Sequence, residues 1–159
     1  MAYKTLTIQR PTLVHLIKCS VGRARYRLGA KPKMEAIPGT PGFLVADCSG
    51  YVRWLLHNLG VRDVPDGSWN QERWCITRKF KPTPYSNAGL RDDRLRIAFI
   101  SPKAGTPGHV VLVINAQTIE SYGGVGTGRR PWNTPVLLKR VDACYVLTDP
   151  LTPVKPVTV

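Results

Sequence analysis

"VADCSGYVRWLLHNLG", residues 45 to 60, decides how this chain is read. Val52, Leu55, Leu56 and Leu59 recur at helical spacing and Gly60 is a fitting stop, which predicts a helix with Cys48 in its first turn. The N–H groups and dipole of such a turn favour a thiolate over a thiol. Free cysteine is also among the most buried residue types, so position alone leaves Cys48 open to two readings, nucleophile or core filler. A nucleophile requires a base.

Three histidines are available. His57 lies further along the same helix, and at about 100° per residue it falls on the face opposite Cys48. His15 precedes Cys19 by one helical turn, but Cys19 then sits toward a helix C-terminus, where the dipole disfavours a thiolate. His109, in "GTPGHVVLVI", stands at the mouth of an apolar strand that holds it rigidly, which suits a general base. A third group should accept a hydrogen bond from the other ring nitrogen. A two-residue turn at Ala116 and Gln117 puts His109 and Glu120 on one face, with the carboxylate diagonal to the ring. Glu120 is the favoured acceptor, and Ser121 takes that face if the turn is one residue longer.

The 159 residues fit one compact domain, and 43% hydrophobic residues with 8% aromatics suffice for a core. Twenty-three Lys and Arg against ten Asp and Glu give +13, an attraction for polyanions such as nucleic acid, an anionic membrane or a wall polymer. Cys19, Cys48, Cys75 and Cys144 include no CxxC pair and no histidine at metal-ligand spacing, which argues against a zinc site, and a chain of this size has no need of disulfides. The segment from Met1 to Tyr26 has only a short apolar run, neither a secretion signal nor a membrane span.

"RPTLVHLIKCSVG" predicts a helix with Pro11 in its first turn, and "YRLGAKPKMEAIPGTPGF" an irregular loop. Residues 61 to 93 read as a long insertion with one short helix. Within it, "WNQERWCITRKFKPTPY" offers rings that stack single-stranded bases, pack a loop or line a cleft. Strands are expected at 94–100, 109–114, 118–122 and 143–149. "YGGVGTGRRPW", 122 to 132, lacks the lysine and spacing of a phosphate-binding loop and reads as a flexible turn at the cleft edge. A helical first half and a stranded second half give an α+β class, with one domain over 1–149 and a proline-rich surface tail over 150–159.

"DCSGYV" at a helix start, "GHVVLVI" on a distant strand and a polar group in the next strand resemble the NlpC/P60 cysteine peptidases of bacterial cell walls. The upstream "ARYRLGAKP" is similar to that family's Tyr-plus-Gly segment. The resemblance spans residues 24 to 124. It implies a papain-like α+β fold, with the nucleophile helix packed on a central antiparallel sheet, that cleaves peptide bonds in peptidoglycan stems. It carries the nucleophile onto Cys48, the base onto His109 and the orienting group onto Glu120, where members often have His. It places Tyr26, Asp47 and Ser49 along the substrate site, with Asp47 facing a substrate amine.

No metal or organic cofactor is implied. Endopeptidase and amidase chemistry both fit the same thiol, and anionic envelope polymers are expected partners ahead of nucleic acid. The rival from another class is a basic module that binds nucleic acid or wall polymer, with Cys48 as inert core. Without a signal, delivery by a phage or by a secretion machine is the expected route to the wall.

Overall fold

The computed structural model describes residues 2–103 and 107–151. In chain order the elements are α1 (Arg10–Ser20), β1 (Arg25–Tyr26), β2 (Val45–Ala46), α2 (Cys48–Asn58), α3 (Ser68–Thr77), β3 (Lys81–Pro82), β4 (Arg96–Ile100), β5 (His109–Ile114), β6 (Gln117–Tyr122), β7 (Gly126–Gly128), α4 (Pro135–Leu138) and β8 (Ala143–Val146). Strands β3 to β8 form one sheet in the order β3-β8-β4-β5-β6-β7, every neighbouring pair antiparallel. The short β1 and β2 pair in parallel beside it. The architecture is α+β with a helix packed on an antiparallel sheet.

Helix α2 forms because its apolar residues return every three to four positions and its start is capped. Asp47 stays extended and its carboxylate accepts the Gly50 N–H at 2.7 Å, a contact typically worth about 1 kcal/mol. Val52, Leu55 and Leu56 are fully buried, and they share a core with Leu112, Ile114 and Ile119 of β5 and β6. Truncating Leu55 to Ala would cost about 2–5 kcal/mol at such a site. Ser20 and Tyr51 hydroxyls meet at 2.6 Å and tie α1 to α2.

The opposite face of the sheet is also covered. Ala98, Ile100, Val111 and Val113 pack against Trp132, Leu137 and Val141. Cover on both faces is why β4 and β5 read as continuous apolar runs instead of alternating ones. The aromatic stretch 69–85 divides: Trp74 and Phe80 are core residues, whereas Trp69 is exposed with the Arg73 guanidinium 4.7 Å from its ring centre.

Two expectations need correction. The β5–β6 turn is Asn115–Ala116, both at positive φ (52° and 63°), so Ile114 pairs with Gln117 and not with the residue a later turn requires. Such angles are those of a tight primed hairpin turn, and the Trp132 N–H holds the Ala116 carbonyl at 2.9 Å. The segment 122–132 is not a flexible turn throughout, since Gly126–Gly128 is a buried strand paired with β6. A Cβ on Gly126 would lie 2.0 Å from the Ala24 carbonyl oxygen, so glycine here serves close backbone approach. The tail expected over 150–159 lies outside the described residues beyond Leu151, whose N–H donates to the Asp93 carbonyl.

Candidate active site

Cys48 is the first residue of α2 and is 5% exposed. Its own N–H and that of Ser49 fall in the helical turn that has no intrahelical acceptor, so both are free to meet an anion. The strand carrying His109 brings the imidazole near enough to the Cys48 side chain for the sulfur to favour the protonated ring. The other candidate bases are elsewhere: His57 bonds the Arg62 guanidinium at 2.9 Å, and Cys19 donates to the Leu16 carbonyl, away from His15. All four cysteines are free thiols.

Glu120 accepts a hydrogen bond from the His109 ring, Nε2 to Oε1, at 2.8 Å. The regular pairing of β5 with β6 ends at Leu112↔Ile119, and His109 and Glu120 meet just beyond it. Ser121 faces the other way and donates to the Ala46 carbonyl at 2.7 Å, holding β2 beneath Cys48. Glu120 has no exposed surface, and the Arg130 guanidinium grips it with two bonds of 2.8 Å. Arg130 in turn lies 4.5 Å from the centre of the Tyr122 ring.

The electrostatics follow from these partners. Burial works against charge on His109, but the Cys48 and Glu120 side chains outweigh it and push the imidazole up to about 9. Burial also opposes charge on Glu120, yet hydrogen bonds from His109, Arg130 and Thr118 hold it below the usual carboxylate range. Both neighbours, Cys48 and Glu120, thus favour the protonated form of the imidazole.

Asp47, Ser49 and Tyr26 surround the thiol. The pairing of Tyr26 with Ala46 sets its ring beside the helix start, and burial followed by the charges of Cys48 and Asp47 raises its hydroxyl. Asp47 is not free to face a substrate amine, because its carboxylate already accepts from the Gly50 N–H at 2.7 Å, the Gly29 N–H at 3.2 Å and the Lys31 ammonium at 2.5 Å. Arg130 and Lys31 are the site residues that the sequence reading missed. Arg130 sat in a stretch taken for a mobile turn and Lys31 in a glycine-proline loop. The only available signal for each was a cation near a carboxylate that burial would otherwise leave unpaired.

Comparison with family models gives no match, and no curated protein is detectably similar in sequence. Solved structures do match. A lipoprotein-like NLP/P60 family protein of Staphylococcus aureus superposes over 94% of this chain and 46% of its own, with a TM-score of 0.59 at 14% identity. An NlpC/P60 family protein of Bacillus cereus superposes over 94% of this chain and 42% of its own, with a TM-score of 0.57 at 20% identity. The chain thus spans less than half the length of either neighbour. No helix among the described residues is long and apolar enough to cross a membrane. The chain has an NlpC/P60-like fold.

Proposed function

We propose that the chain is a cysteine peptidase or amidase acting on the stem peptides of peptidoglycan, within a catalytic domain over residues 1–149. The observation that carries this reading is the His109 imidazole, fixed by Glu120 at 2.8 Å and close enough to the Cys48 thiol at the tip of α2 to be shifted by it. In the proposed cycle the Cys48 sulfur attacks the scissile carbonyl carbon, and its C–S bond forms as the carbonyl π pair moves to oxygen. The N–H groups of the first helical turn meet that oxyanion. Protonated His109 gives its proton to the leaving amine as the C–N bond breaks. Neutral His109 then takes a proton from water, whose oxygen attacks the thioester and expels the thiolate. Glu120 stays ionised throughout and fixes the ring.

The net charge of +13 suits an anionic envelope, and delivery by a phage or by a secretion machine is part of the same proposal. Purified peptidoglycan incubated with the protein should release stem-peptide fragments detectable by mass spectrometry. Cys48→Ala and His109→Ala should each abolish release while the far-UV spectrum is unchanged. Full activity in either variant would remove the pair from the mechanism and favour a basic module that binds wall polymer or nucleic acid without catalysis.

A further inference from the structure

Lys31 bridges the two residues that flank the nucleophile. Its Nζ donates to Asp47 Oδ2 at 2.5 Å and to Ser49 Oγ at 2.7 Å. The loop that carries it is clamped onto the tip of α2: the Asp47 N–H donates to the Ala30 carbonyl at 2.8 Å, and the Gly29 N–H returns to the Asp47 carboxylate. Gly50 permits this, because a Cβ there would stand 2.8 Å from the Ala30 oxygen. Lys31 is therefore held in place, not swept through solvent.

The exposures decide what a ligand meets beside Cys48. The Asp47 side chain is 5% exposed and Ser49 is 2% exposed, whereas the Lys31 side chain is 33% exposed. Both Asp47 oxygens are occupied, Oδ1 by the Gly50 N–H and Oδ2 by Gly29 and Lys31. An ammonium has three N–H donors, and two of those on Lys31 are spent. The polar group offered to solvent at this point is a cation.

We infer that Lys31 forms a carboxylate-binding subsite beside Cys48, selecting substrates with an anionic group on the acyl side of the scissile bond and rejecting those with a free ammonium there. The inference rests on the peptidase reading for its substrate but not for its charge. A charge-assisted bond to the third N–H, set against repulsion of an ammonium at the same spot, predicts about a 10- to 100-fold preference.

Two measurements test it. In the first, Cys48→Ala protein is titrated calorimetrically with one short stem peptide in three forms: free amine, N-acetylated and N-succinylated. The succinyl form should bind about 10- to 100-fold more tightly than the free amine. Lys31→Met should abolish or reverse that order by uncovering Asp47, and Lys31→Arg should keep it. Free-amine peptide binding as well as the succinyl form overturns the inference. In the second, Cys48 in the active chain reacts with a sulfonate-bearing and with a trimethylammonium-bearing methanethiosulfonate, with no peptide present. The anionic-to-cationic rate ratio should fall at least about tenfold in Lys31→Met, and an unchanged ratio overturns the inference whatever the protein cleaves. If that ratio falls while wild-type protein releases nothing from peptidoglycan, the peptidase reading fails and the cationic subsite stands.

Discussion

Two buried carboxylates stand on either side of Cys48, and each is gripped by a cation. Asp47 is held by Lys31 and Glu120 by Arg130. The difference lies in what remains. Asp47 spends its oxygens on the Gly50 and Gly29 N–H groups and so builds the helix tip and the loop around Cys48. Glu120 keeps Oε1 for the His109 ring and so orients the imidazole. Residue type and burial do not assign a role here. The partners left over after folding do.

The largest effect that separates the two should come from Glu120→Gln. An amide keeps the shape but loses the charge that orients the imidazolium, and turnover should fall by about 10²–10⁴-fold, read as kcat on a stem peptide. Asp47→Ala should act mainly on stability, because it removes a helix cap worth about 0.5–2 kcal/mol and leaves Lys31 with Ser49 but without its counter-charge. It should lower the unfolding midpoint while turnover stays within about tenfold of wild type. If Asp47→Ala lost activity as fully as Glu120→Gln with its fold intact, the division of labour would be wrong.

The pH profile sharpens the comparison further. The His109 imidazole is raised to about 9 from an ordinary value near 6.5. The stability it contributes is therefore complete below about 6.5 and is lost as pH rises through about 9. Activity should decline over the same alkaline limb. Arg130→Met removes a positive charge from Glu120, so the carboxylate should pull harder on the imidazole proton and move the limb upward. Its cost in turnover should be the smallest of the series, about tenfold or less. A downward shift would mean that Arg130 does not act through Glu120.

Much of this was legible in the residues. Cys48, His109 and Glu120 lie on α2, β5 and β6, whose sequence patterns are strong: helical spacing in "CSGYVRWLLHN", continuous apolar character in "HVVLVI", and a short β-prone run in "QTIESY". The hairpin turn was misplaced by one residue because Asn115 and Ala116 adopt positive φ without a glycine to announce it. β7 was hidden for the opposite reason. Glycines that commonly mark mobility are required there by the Ala24 backbone at Gly126, and Thr127 locks the strand by donating to the Ser20 carbonyl at 2.7 Å. Trp132, fully buried beyond that strand, was lost with it. Lys31 and Arg130 answer charges that become buried only when distant segments meet, and no local spacing encodes that.

The most direct test of the central pairing is the rate at which iodoacetamide alkylates each cysteine of the folded protein at neutral pH, followed by peptide mapping. Burial raises the Cys144 thiol to about 12 and pushes Cys75 up as well, and no imidazole serves either. Cys48 should therefore be modified first, and its rate should fall at least about tenfold in His109→Ala. Uniform slow labelling of all four thiols, or a Cys48 rate indifferent to the loss of His109, would contradict the account.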